Sequence, residues 1–120
     1  MPAYSKKVKR LLRELIAEAY ERELHRELTK LEQSFSEWRS GALSSGELSY
    51  RLHQYETGPS RELYKRYNDT PADLAVAYAI VAGLLKPDEL PAELLEALGG
   101  PLSFYQSLKA RNELREPDDL

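Results

Sequence analysis

The chain has 120 residues, enough for one hydrophobic core and not for two. Its 17 basic and 20 acidic residues leave a net charge of −3, which excludes a strongly basic nucleic-acid binder in the bulk sense. The absence of cysteine excludes a disulfide scaffold, a thiolate zinc site and a cysteine nucleophile.

Ala, Leu, Glu, Arg and Lys are abundant, and no β-branched run of period two occurs. The sequence therefore predicts an all-α protein, a single domain over 1–120 with a bundle of four to six helices. The first helix is expected over 5–39, with Ser5 as N-cap and Gly41 as stop. It would span roughly 52 Å. A compact chain of this size is roughly 35 Å across. The first helix should thus protrude, or something else should cover it.

Its apolar residues form two sets. Leu24, Leu28, Leu31, Phe35 and Trp38 are spaced 4, 3, 4, 3, an a/d seam. Val8, Leu11, Leu12, Leu15, Ile16 and Ala19 form the other set, centred about 150° away. The seam is expected to pack on the protein's own second helix. The first set is expected to meet later helices or a second subunit, which makes Val8, Leu12 and Ile16 the candidate dimer surface.

A loop over 40–46 leads to a second helix over 45–68, and Ser44 with Glu47 fits a capping box. Gly58-Pro59 should kink or split it. The short loop makes the first two helices an antiparallel hairpin. Thr70-Pro71 reads as N-cap and first turn of a third helix over 71–85. This helix is apolar on nearly every side, so the hairpin should wrap round it, with Gly83 allowing close approach. Short helices follow at 92–98 and 101–115, then a frayed tail over 116–120. The longest apolar run, Leu74 to Leu85, is twelve residues, short of the roughly 18 that cross a membrane. No apolar segment follows Lys6 and Lys7, so no secretory signal is read and a cytoplasmic setting is expected, without a membrane partner.

Motif searches point away from catalysis. Arg22 and Tyr50 stand three residues before His25 and His53, so no Glu-x-x-His pair exists for a di-iron bundle. The two histidines are 28 positions apart, not at i and i+4 as in a zincin. Gly41 and Gly46 have phosphate-loop spacing, but Glu47 stands where lysine must be. No nucleophile elbow, dinucleotide fingerprint or calcium loop occurs. No catalytic residue, metal ligand or cofactor is assigned.

Three surfaces remain. Lys6, Lys7, Lys9, Arg10 and Arg13 put five positive charges in eight residues at a helix start, against the macrodipole. They suit phosphate or an acidic partner, or they pair with Glu116, Asp118 and Asp119. Tyr50, His53, Arg61, Tyr64 and Tyr67 form a second stripe on a continuous second helix. That stripe suits a protein contact or a small anionic ligand held by His53, Arg61 and Tyr64, or it packs on the third helix. Residues 47–68 also suggest a helix-turn-helix turning at Gly58, but Gln54, Pro59 and Ser60 fit it poorly. The reading that follows is a non-catalytic helical interaction or regulatory module. It is expected as a homodimer with an unidentified protein partner. Nucleic-acid binding through the basic start is the alternative.

Overall fold

In a computed structural model, residues 4–117 are described, and among them every regular element is helical. The long first helix, α1, runs Lys6–Arg39. The Ser5 hydroxyl accepts the Val8 N–H at 3.1 Å and so closes its first turn. It ends at Gly41, whose φ of 87° is open to glycine. There the Ala42 N–H donates to the Glu37 carbonyl (2.9 Å) and the Gly41 N–H to Trp38 (3.1 Å), a Schellman stop.

α2 runs Ser45–Tyr55, capped by the Ser44 hydroxyl on the Glu47 N–H at 3.1 Å. Glu47 itself reaches forward to Arg51, so Ser44 supplies the capping bond. Pro59 neither breaks the helix nor makes a turn. Helical backbone continues through a wide π turn at Glu56–Ser60, then α3 (Arg61–Tyr64), then a second wide turn at Lys65–Asp69. Proline lacks an N–H and its ring crowds the carbonyl four residues back; a turn of i→i+5 bonding relieves both. Gly58 therefore sits inside a helical turn, and the sequence-predicted helix-turn-helix is not formed.

This segment runs back along α1. Trp38 bonds Ser45, Arg51 bonds Ser34 and Glu37, and Arg66 and Tyr67 reach Glu23. Thr70 was expected to cap the third predicted helix. Its hydroxyl instead donates back to the Lys65 carbonyl, and the Pro71 carbonyl accepts the first helical bond, from Ala75.

α4 runs Ala72–Val81 and is buried from Ala75 through Val81, which is what an apolar-all-round helix requires. It stops short of the predicted residue 85. Gly83 takes φ 86° in a second Schellman stop, and nothing lies within 4 Å of where its Cβ would be, so it ends the helix and makes no close approach. α5 (Ala92–Ala97) and α6 (Gly99–Ala110) complete the fold. α6 stops five residues before the predicted 115, at Asn112 in the left-handed region (φ 58°). Leu114 then turns back against Tyr78 and Val81. Pro117 is buried, so residues 116–117 are not simply frayed, while Asp118, Asp119 and Leu120 lie outside the described residues.

The main core joins Val8, Leu12, Leu15 and Ala19 of α1 to Leu63, Tyr67, Ala75, Val76, Ala79, Ile80, Leu94 and Leu98. Val8 and Leu12 are thus covered by their own chain, and Ile16 packs beside them. This corrects their assignment to a dimer surface. Later helices supply the partner that the first apolar set needs. The other half of α1 extends with α2 as an arm. The molecule measures 54 × 31 × 25 Å, with a radius of gyration of 17.1 Å against about 13–14 Å for a compact chain of its length.

Candidate functional site

The arm inverts the usual helix pattern. Beyond Ala19 the buried line of α1 continues over Glu23, Glu27 and Ser34. Leu24, Leu28 and Phe35 each follow one of these by one position, about 100° round the helix. Polar residues therefore face the returning segment, and the apolar seam is turned aside. Leu28 is 49% exposed, Trp38 40% and Leu52 of α2 37%. The expectation that the seam packs on the second helix is corrected in this respect: α2 covers only one edge of it.

Each buried polar residue is satisfied. Arg66 donates through Nη1 to both Glu23 oxygens at 2.9 and 3.0 Å, and the Tyr67 hydroxyl donates to Oε2. Lys30 pairs with Glu27 at 3.0 Å, and Arg51 donates to the Ser34 hydroxyl at 3.1 Å. An uncompensated carboxylate at this depth would cost several kcal/mol, about 3–5. Glu23 is therefore possible on the buried line only because Arg66 and Tyr67 stand opposite. The Arg66 guanidinium also lies 4.5 Å over the Tyr78 ring. Burial works against its charge, but Glu23 together with Tyr78 and Tyr67 more than offsets that, and its pKa lies above the ordinary value.

The exposed seam leaves an apolar groove of about 460 Å³. Leu28, Leu31 and Phe35 line it, with Leu52 and Tyr55 of α2 and with Glu32 and Arg39. Glu32 and Arg39 carry no ion pair among the described residues.

A second cleft, about 510 Å³, lies between the Lys65–Asp69 turn, α4, α6 and the 113–115 segment. Its aromatic wall is Tyr78 with Tyr105, edge to face at 5.7 Å. Burial pushes the Tyr78 phenol up to about 12, and burial followed by Asp73 raises Tyr105. Tyr67 is raised further by burial and its bond to Glu23. These phenols stay protonated near neutrality; Tyr67 donates to Glu23 and Tyr78 to the Arg115 carbonyl. Several of the charges around the cleft are paired: Arg66 with Glu23, Arg115 with Glu62 at 3.7 Å, and Glu113 with Arg111 at 3.4 Å; Lys65 and Asp69 also line it.

The predicted tyrosine stripe is dispersed. Tyr67 is buried, whereas Tyr50, His53, Arg61 and Tyr64 are exposed. The two wide turns shift the helical phase and rotate Tyr67 inward to Glu23, away from Tyr64. His53, Arg61 and Tyr64 line neither of the clefts above. The basic start of α1 is exposed at Lys6, Lys7, Lys9, Arg10 and Arg13. Lys7 pairs with Glu93 at 3.1 Å and Arg10 weakly with Glu14 at 3.9 Å. Lys6, Lys9 and Arg13 carry no ion pair among the described residues.

Among the described residues no three His, Asp or Glu converge to hold a metal ion, and no helix is long and apolar enough to cross a membrane. Compared with known protein families, curated proteins and solved structures, the chain matches none.

Sequence reasoning missed the arm's open face and the Glu23–Arg66–Tyr67 cluster. The spacing held part of the signal: Ala19, Glu23 and Glu27 continue the four-residue step of the buried set, which marks the line itself but not the residues that cover it.

Proposed function

We propose that the protein is a non-catalytic helical interaction module that works as a homodimer. In this reading α1 and residues 45–69 form one hairpin round α4, and the hairpin's free end presents the docking face. The carrying observation is the outward seam: Leu28, Leu31 and Phe35 face a groove while Glu23, Glu27 and Ser34 occupy the intrachain contact. A helix that buries Glu23 and Glu27 and exposes Leu28 beside the half-buried Leu31 and Phe35 is arranged for a second protein surface. The dimer expected from the sequence is thereby moved from Val8, Leu12 and Ile16 to the arm.

Light scattering across a concentration series tests this reading. The expected mass is twice 13.7 kDa. Leu28→Glu combined with Phe35→Glu should give a monomer of unchanged helical content, since neither side chain belongs to the main core. A monomer of the unmodified protein at high concentration overturns the dimer.

Lys6, Lys9 and Arg13, which carry no ion pair among the described residues, favour a second reading, phosphate-backbone binding at the start of α1. It requires affinity for duplex DNA that falls with salt at a log–log slope of about −3, one unit per contact. A flat salt dependence excludes it.

A further inference from the structure

The dimer reading can be taken to the arrangement of the two copies. We infer that two arms pair antiparallel through α1, with Phe35 at the twofold axis and Glu32 of each copy against Arg39 of the other. The inference rests on the interaction reading above and adds the partner surface and its orientation.

Two properties of the groove carry it. The first is the placement of its charges. Glu32 and Arg39 are seven residues apart, so they lie within about 20° of one another on the same side of the seam. They edge the apolar groove, they are opposite in sign, and neither has an ion-pair partner among the described residues. Helices that pair in parallel bring each seam position against its own number, so these two charges would find no opposite charge at their level. Antiparallel helices bring the same side of each together in reversed order. Glu32 then faces Arg39 when the axis passes between residues 35 and 36, and symmetry makes the ion pair twice.

The second property is the apolar set, which falls close to the same register. Reflected about that axis, Phe35 lies within one residue of its own copy and Leu31 within two residues of Trp38 of the other chain, while Leu28 lies at the level of the loop that follows the other α1 at Arg39. Leu52 and Tyr55 edge the groove from the α2 side, so the two α2 helices approach on that side and the two arms close as four helices. The N-terminal half of α1 takes no part, because its apolar face is already filled by α4 and α5.

Charge reversal tests the register. Glu32→Arg alone or Arg39→Glu alone sets like charges against each other at both symmetric contacts and should weaken dimerisation about tenfold. The double variant Glu32→Arg/Arg39→Glu restores both pairs with the signs exchanged and should return to within about twofold of the unmodified protein. Both positions are exposed, so folding is not at issue, and circular dichroism checks it.

Orientation is read separately by disulfide trapping, because the chain has no cysteine of its own. Phe35→Cys should cross-link at the axis. Leu28→Cys should not, since antiparallel pairing sets the two copies of that residue about 21 Å apart along the helices, beyond the ~7 Å that a disulfide spans. Cross-linking through Leu28→Cys, or single reversals that leave a dimer's affinity unchanged, overturns the antiparallel register and leaves the dimeric module standing. An unmodified protein that stays monomeric removes the reading beneath both.

Discussion

Leu12 and Leu28 sit on the same helix, yet one is 3% exposed and the other 49%. Around Leu12, α1 is one wall of a core closed by α4 and α5. Around Leu28 it is half of a two-helix arm, and two helices cannot enclose a seam. Helical periodicity is the same in both halves. What differs is the number of neighbours available to cover it.

Removing Arg66 should have the largest effect on this contrast. Arg66→Ala leaves Glu23 buried with Tyr67 as its remaining donor among the described residues, and should cost about 3–5 kcal/mol in urea denaturation. A loss below about 1 kcal/mol would mean that water reaches Glu23, and that the joint between core and arm is looser than its 2% exposure indicates. Leu12→Ala should cost about 2–5 kcal/mol at every protein concentration. Leu28→Ala, measured at concentrations where the chain is monomeric, should change stability by no more than about 0.5 kcal/mol. Equal costs at the two leucines would erase the distinction between the halves.

A smaller effect concerns pH. Tyr4, which donates to Asp73, and Tyr78, which donates to the Arg115 carbonyl, both have phenols raised from 10.0 to about 12 by burial first. Above pH 10 the unfolded chain releases these protons while the folded chain keeps them. Their contribution is therefore full below pH 10 and is lost as the pH rises toward 12. The denaturation midpoint should fall between about pH 10 and 12, and Tyr78→Phe should flatten that fall. An unchanged slope in the variant would show that Tyr78 is not among the groups responsible.

Much of the local structure was legible in the residues. Ser5 and Ser44 cap as their positions require, and Gly41 stops α1 because it alone there enters the left-handed region without strain. The burial of residues 75–81 followed from an unbroken apolar sequence. The ends of α4 and α6 were misjudged, because a left-handed residue at Gly83 or Asn112 ends a helix whatever the apolar pattern beyond it. The tyrosine stripe was misjudged because it assumed an ideal helix through Pro59, and each wide turn alters the phase for every residue that follows.

The sequence by itself determined an all-α chain, a first helix too long for a compact domain, and the two apolar faces that this helix carries. Those follow from backbone propensity, capping chemistry and periodicity, which act over a few residues. The tertiary structure alone decided which face is covered. Burial depends on partners distant in sequence: Arg66 and Tyr67 make Glu23 tolerable inside, 43 and 44 residues away. With the polar line held inward, Leu28, one step round the helix from Glu27 and beyond the reach of the core, had to face out.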